Sequence, residues 1–154
     1  MKIGIISDTH GLLRPQALAA LEGVEHIPHA GDIGDDNILE ALRQIAPLTA
    51  IRGNTDHYGL CSSLPATDAV ELAGRLFYLV HSIHDLDLNP VAAGIAAVIS
   101  GHSHNPSANH REGVLYINPG SAGPRRFSLP TTLATLDLAK STLTPHFINL
   151  LGEK

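Results

Sequence analysis

The stretch Lys2-Ile3-Gly4-Ile5-Ile6-Ser7-Asp8-Thr9-His10 decides the fold of this chain. Its isoleucines predict a buried strand over Lys2–Ser7 that ends in polar residues. Predicted helices and short apolar strands then alternate along the chain. They are a helix at Pro15–Leu21, a strand at Glu25–Ala30, a helix at Asp36–Ile45 and a strand at Pro47–Arg52. This β-α-β-α-β order predicts a parallel sheet with right-handed crossovers.

The second half of the chain favours hairpins. Three pairs of strands are predicted around short turns: Ala69–Leu72 with Arg75–Val80, Asn105–Arg111 with Val114–Asn118, and Thr132–Asp137 with Thr142–Leu150. A short helical turn is predicted at Pro90–Gly94, before an apolar strand at Ile95–Ser100. We therefore expect one α/β domain over residues 1–154 with two sheets, parallel in the first half and rich in hairpins in the second.

Composition excludes several classes of protein. With 44% hydrophobic and 16% charged residues, the 154-residue chain fits a globular domain, and no apolar run approaches the ~20 residues that span a bilayer. Neither a signal peptide nor a disulfide framework is expected, because the amino terminus lacks a long apolar stretch and Cys61 is the single cysteine; cytoplasm is the predicted location. A net charge of −5 and 4% aromatic residues disfavour long nucleic acid as a partner.

Polar residues follow five predicted strands at the point where each strand ends. They are Asp8, His10, Asp32, Asn54, His81, His102 and His104. Side chains beyond the carboxyl ends of strands in an open α/β sheet converge on one site. The pairs Asp8/His10 and His102/His104 are two residues apart, so an extended backbone would point both members of each pair to the same face.

Seven ligands with one shared carboxylate suit two cations better than one. The mixture of carboxylate, amide and imidazole groups suits Mn²⁺, which we place first, or Fe²⁺, Zn²⁺, Ni²⁺ or Co²⁺. So many imidazoles disfavour Ca²⁺. The pattern therefore predicts a site for two divalent metal ions.

The ordered set Asp8-Thr9-His10, Gly31-Asp32, Gly53-Asn54, His81 and Gly101-His102-Ser103-His104 resembles the five-motif signature of the calcineurin-like metallophosphoesterase superfamily. The short chain and Asn118-Pro119-Gly120-Ser121 resemble its small prokaryotic phosphodiesterase branch. The resemblance implies a four-layer α-β-β-α sandwich of two mixed β-sheets. It also implies a hydrolase that cleaves a small phosphodiester by attack of a hydroxide bridging two metal ions.

The resemblance also implies which side chains hold each ion. The first ion would be bound by Asp8, His10, Asp32 and His104, and the second by Asp32, Asn54, His81 and His102, so that Asp32 is the bridge. Among the residues expected to act on the substrate are Asp32, Asn54 and His102.

Two positions depart from the family pattern. Many relatives have a histidine directly after the asparagine, where this chain has Thr55, followed by Asp56 and His57. Protonation of the leaving group is then unassigned, and His57 is our catalytic candidate on position alone. Ser82 follows His81 where the family usually has glycine.

Other interpretations stay open. A non-catalytic, protein-binding scaffold of the same fold, as the retromer subunit of this superfamily is, would be expected to have lost ligands. His29 is either a structural histidine or one that orients a ligand. His84 lies at the rim of the site or in solvent, and Arg125-Arg126 binds phosphate or is a solvated pair. A free edge of the late hairpins can pair with a second copy of the chain.

Overall fold

Ten strands and three short helices make up the computed structural model, which describes residues 1–152. The strands are β1 (Lys2–Ile5), β2 (Ile27–His29), β3 (Leu48–Ala50), β4 (Thr67–Leu72), β5 (Arg75–Val80), β6 (Ile95–Ile99), β7 (Ser107–Arg111), β8 (Val114–Asn118), β9 (Thr132–Asp137) and β10 (His146–Asn149). The helices are α1 (Pro15–Ala20), α2 (Asp36–Arg43) and α3 (Gly59–Ser62), with a 3₁₀ turn at Ile83–Asp85. No helix in this part of the chain is long and apolar enough to cross a membrane.

The first sheet joins both ends of the chain. β2 and β3 pair in parallel, and single parallel bridges at Ile3–His26 and Ile6–His29 bring β1 beside β2. On its other side β1 pairs antiparallel with β9, and β9 pairs with β10 at the edge. The parallel arrangement predicted for the β-α-β-α-β run is confirmed, and the predicted last hairpin completes this sheet.

The second sheet has the order β4-β5-β6-β8-β7. Its three central strands are parallel, and the two outer strands are antiparallel to their neighbours through the hairpins β4–β5 and β7–β8. Both sheets are therefore mixed, and the predicted α/β fold class is confirmed.

Apolar side chains fill the space between the two sheets. Ile3 and Ile5 of β1 pack in one cluster with Phe77, Leu79 and Ile99 of the second sheet. A second cluster joins the first sheet to α1 and α2, and a third covers the outer face of the second sheet with the loop that follows the 3₁₀ turn. Burial on both faces explains why the central strands are continuous apolar runs.

The short helical turn predicted at Pro90–Gly94 is present as a hydrogen-bonded turn that ends at Gly94, whose φ is 72°, directly before β6. The structure differs from the sequence prediction at two other segments. β10 begins at His146 and not at Thr142, since Pro145 just before it has no N–H for the ladder. The helix α3 was not predicted.

A carboxylate that is distant in sequence caps the amino end of α3. Asp36 accepts hydrogen bonds from the N–H groups of Leu60 at 3.0 Å and Cys61 at 3.1 Å. Its neighbour Asp35 caps α2 by accepting from Asn37 N–H. The sequence predicted that one of these two aspartates caps α2, and local pattern contains no sign of the second cap, which lies 24 residues from the helix it serves.

Candidate metal centre

The predicted ligands lie in five loops that leave β1, β2, β3, β5 and β6 at their carboxyl ends. Four of them have buried side chains: Asp8, Asp32, His81 and His104. His10 is half-buried, and Asn54 and His102 are exposed. The cluster therefore has a closed floor and an open face through which a small molecule can reach it.

One group of ligands surrounds Asp8. The ligand atoms of Asp8, His10 and His104 all lie within 4.8 Å of one another. The Nε2 atoms of the two histidines are 3.2 Å apart, and His104 Nε2 is 3.4 Å from Asp8 Oδ1. Three ligand atoms at these separations can coordinate one cation.

A second group surrounds Asp32. Its carboxylate and the rings of His81 and His102 place their ligand atoms within 4.8 Å of one another. Asn54 joins this group, because its Oδ1 is 3.1 Å from His102 Nδ1. Asp32 Oδ2 lies 3.1 Å from His81 Nε2 and 3.6 Å from His10 Nε2, so this one oxygen faces both groups.

The backbone at the ligands is left-handed. Positive φ angles occur at eight non-glycine residues of the described chain. Five of the eight are ligands, namely Asp8 (55°), His10 (45°), Asp32 (55°), His102 (70°) and His104 (63°). Each such residue costs about 1 kcal/mol, and strain of this kind clusters at functional sites.

These angles correct one prediction. The pairs Asp8/His10 and His102/His104 do not converge through an extended backbone, because all four residues have left-handed angles. Tight turns follow β1 and β6, and these turns direct both side chains of each pair toward the two groups of ligands. The backbone at Gly31 lies close to the ring of His81. A Cβ at this position would be only 2.8 Å from His81 Nδ1, so a glycine is required there.

The donor set fits a divalent cation. Asp8 Oδ1 is fully buried and accepts no hydrogen bond from the described residues, and imidazole nitrogens of His104, His10 and His81 surround it at 3.4, 3.7 and 3.9 Å. His81 Nδ1 lies 2.7 Å from the Ala30 carbonyl oxygen, to which it must donate. Nε2 of His81 then keeps the lone pair that faces the site, which is the tautomer a metal requires.

The carboxylates of the site are charged at neutral pH. Burial alone would raise the pKa of Asp8, but attraction to His10 and His104 outweighs it and holds the pKa far below its usual range. Asp32 is buried too, and its contacts with His81 and the Thr55 N–H lower its pKa to about 2. A concentration of negative charge beside several imidazoles is what a divalent cation binds.

A buried histidine ties two of the loops together. His29 Nδ1 accepts a hydrogen bond from Gly31 N–H at 3.1 Å, so Nε2 carries the proton and donates to Thr9 Oγ1 at 3.1 Å. The Thr9 hydroxyl in turn donates to the Ile33 carbonyl at 2.9 Å. This chain of bonds holds Thr9, between the ligands Asp8 and His10, against the turn that carries Asp32.

We expect His29 to make stability depend on pH. Complete burial lowers its pKa to about 4, against 6.5 in the unfolded chain. As the pH falls below 6.5 the unfolded chain takes up the proton and the folded chain does not, so the folded state loses stability. Between pH 7.5 and 4.5 the free energy of unfolding of the wild-type should fall by about 2.5 kcal/mol more than that of His29→Gln.

Urea titrations of both proteins in EDTA measure this difference. Glutamine keeps one donor and one acceptor but does not titrate. Parallel stability curves for the two proteins would contradict a neutral His29.

Asp56 is a second residue that joins two loops. Its Oδ2 accepts from Ile33 N–H at 3.2 Å and Gly53 N–H at 2.8 Å, and its Oδ1 accepts from Gly34 N–H at 3.1 Å. The turn after Asp32 and the turn that leads into Asn54 are thus held by one buried carboxylate. The sequence shows Asp56 only as the residue after Thr55, and no role was predicted for it.

Asn118 forms part of the site floor. Its Nδ2 donates to the Gly101 carbonyl at 2.9 Å and to Ser103 Oγ at 3.0 Å, and its Oδ1 accepts from Gly120 N–H at 2.9 Å. The loop that carries His102 and His104 is therefore anchored to the end of β8.

His57 lies apart from the seven ligands. It is exposed, its ring packs edge-on against Tyr58, and it lines a cavity with Asp35, Asp36 and Cys61. None of the seven ligands lines that cavity. The structure brings together Asp32, Asn54 and His102 of the predicted catalytic set, and a role of His57 as acid stays a prediction.

The family follows from comparison of the whole chain. A model of the calcineurin-like phosphoesterase superfamily domain matches residues 1–141. The chain belongs to this superfamily. The predicted membership is confirmed, and it supports the prediction that the chain is a hydrolase.

Two archaeal relatives and one solved structure are similar to this chain over most of its length. A probable metallophosphoesterase of Methanothermobacter thermautotrophicus is 34% identical over 146 residues, which are 86% of this chain and 84% of that protein. A phosphodiesterase of Methanocaldococcus jannaschii is 30% identical, over 91% and 95% of the two chains. The structure of Chaetomium thermophilum Vps29 has the same fold, with a TM-score of 0.76 at 16% identity, over 96% and 95% of the chains.

Proposed function

We propose that this protein is a phosphodiesterase that hydrolyses a small phosphodiester with two divalent cations, Mn²⁺ first among them. The observation that carries the proposal is the position of Asp32 Oδ2, which faces His81 on one side and His10 on the other. A carboxylate oxygen between two sets of ligands is suited to bridge two cations. The similarity to an archaeal phosphodiesterase supports the diester as substrate.

Asp8, His10, Asp32 and His104 would hold one cation, and Asp32, Asn54, His81 and His102 the other. Bound there, the cations would supply positive charge to the phosphoryl oxygens and acidify water at neutral pH. The chain itself contributes a buried floor and two exposed groups, Asn54 and His102, at the open face that a phosphate would approach. No side chain needs to act as a nucleophile.

The proposed substrate is small and the proposed location is the cytoplasm. A small substrate is supported by the negative net charge and the scarcity of aromatic side chains, which offer no track for a polymer. A cytoplasmic location is supported by the single cysteine, Cys61, which is buried and free. Dimerisation through β7 or β10, the edge strands of the late hairpins, stays a prediction.

The alternative is a protein-binding scaffold of the same fold. The structural similarity to Vps29 is the observation that favours it. At 16% identity that likeness extends to the fold alone. Five left-handed ligand residues are a cost that a scaffold gains nothing by keeping. We therefore favour the enzyme.

Metal removal tests the proposal. The purified protein should hydrolyse bis-p-nitrophenyl phosphate in Mn²⁺ with a kcat/KM at least about 10-fold above that for p-nitrophenyl phosphate, and EDTA should abolish both activities. Restoring Mn²⁺ should restore the activity. A folded protein that binds cations in calorimetry but hydrolyses neither ester would favour the scaffold.

A further inference from the structure

Two cavities adjoin His102, and Ser82 and His102 line both. The first, which we call the arginine cavity, has a volume of about 180 Å³ and is also lined by His84, Asn109, Arg111 and Tyr116. The second, which we call the wide cavity, has a volume of about 600 Å³ and is also lined by Arg52, Asn54, Thr67 and Asp85. A phosphodiester bound beside His102 would therefore have room for one ester group in each cavity.

Arg111 is oriented but not neutralised. Its guanidinium lies over the ring of Tyr116, 5.0 Å from the centroid, which fixes its plane by a cation–π contact. Among residues 1–152 no carboxylate lies within salt-bridge distance of it, and no hydrogen bond from its N–H groups to the protein is found. Its donors are thus available to a ligand with the fork geometry of a carboxylate or phosphate.

The two cavities differ in charge. No aspartate or glutamate is among the described residues that line the arginine cavity, whereas His84 adds a second imidazole there beside His102. Asp85 lines the wide cavity, and Arg52 in that cavity already donates to the Leu64 carbonyl. On a chain with a net charge of −5, the arginine cavity is a local site of positive charge.

We propose that the arginine cavity binds an anionic group, carboxylate or phosphate, carried by one ester arm of the substrate, and that Arg111 selects it. The wide cavity receives the other arm. This inference rests on the proposed function for the position of the phosphodiester, and it adds the chemical class of one arm: the substrate is a phosphodiester with a second anionic centre.

Matched substrates test the selection. The neutral reference is a p-nitrophenyl phosphodiester whose second arm is a butyl chain, and its analogues end that chain in a carboxylate, a phosphonate or a trimethylammonium group. In Mn²⁺ the wild-type kcat/KM should be about 10-fold higher for the anionic arms than for butyl, because one charge-assisted bidentate contact is worth about this factor. The anionic arm with the larger increase in kcat/KM, carboxylate or phosphonate, identifies which of the two anions the arginine cavity binds better.

Variants separate Arg111 from the rest of the site. Arg111→Ala should remove the preference for anionic arms and leave the butyl diester within about 2-fold, and Arg111→Lys should keep part of the preference. Arg43→Ala, which removes an exposed arginine of α2 outside both cavities, should change neither. Equal rates for all arms, a preference for trimethylammonium, or an equal loss on every substrate in Arg111→Ala would overturn the inference.

A binding measurement keeps the two proposals distinguishable. If the wild-type hydrolyses no diester, the proposed function fails, and calorimetry with the methylphosphonate monoester of the carboxypropyl chain decides the inference by itself. With or without Mn²⁺, Arg111→Ala should then weaken the Kd of this probe at least about 5-fold. An unchanged Kd would refute the arginine cavity as an anion site.

Discussion

Replacing Asp32 by alanine should lower kcat/KM for bis-p-nitrophenyl phosphate at least about 10³-fold and remove the binding of one or both cations. The reason is its position: Asp32 Oδ2 faces both groups of ligands, and without it two cations would repel each other with no shared anion between them. Calorimetric titration with Mn²⁺ measures the stoichiometry, and steady-state hydrolysis measures the activity.

Glu40→Ala is the matched control, since it removes an exposed carboxylate on α2 and should leave both readouts unchanged. The Asp32→Ala protein should remain folded, because loss of a charged group at a crowded site relieves repulsion as well as removing contacts. Full Mn²⁺ binding with normal hydrolysis in Asp32→Ala would refute Asp32 as the bridge.

Replacing Asp56 by alanine should have the largest effect on stability. Three backbone N–H groups would lose their acceptor at once, and the buried one, Ile33 N–H, cannot be compensated by water. We expect a loss of about 3 kcal/mol in the free energy of unfolding and a fall in Tm of about 6–12 °C. Urea and thermal unfolding, followed by circular dichroism in EDTA, measure the change.

Asp56→Asn should lie between the wild-type and alanine, because its amide keeps one acceptor oxygen. Asp87→Ala, which removes an exposed aspartate, should stay within about 0.5 kcal/mol of the wild-type. Equal stability of Asp56→Ala and Asp87→Ala would show that the two loops hold their turns without the carboxylate.

Asp56 and His29 explain how the strained ligands are kept in place. Asp56 holds the turn of Asp32 against the turn of Asn54, and His29 holds the turn of Asp32 against Thr9. Each joins loops from neighbouring strands of the first sheet. The left-handed residues can therefore persist, since buried hydrogen bonds between the loops offset the backbone strain.

The sequence by itself determined the order of the elements and the chemical types of the ligands. Apolar runs with helical or alternating spacing are local patterns, and they located β1, β2, α2 and the first two hairpins. The carboxylates and imidazoles directly after those strands are local too, and parallel strands bring their carboxyl ends to one edge. Membership in the family follows from these same motifs.

Only the tertiary structure decided how the ligands converge and what supports them. The left-handed angles at Asp8 and His102, the α3 cap from Asp36 and the three bonds to Asp56 depend on groups that are distant in sequence or on backbone choices that side-chain type does not reveal. His57 follows the Asn54 motif by three positions, yet it faces another cavity, because Asp56 turns inward between them. The local sequence therefore determines which residue types lie at the site, whereas hydrogen bonds between residues distant in sequence determine where their side chains point.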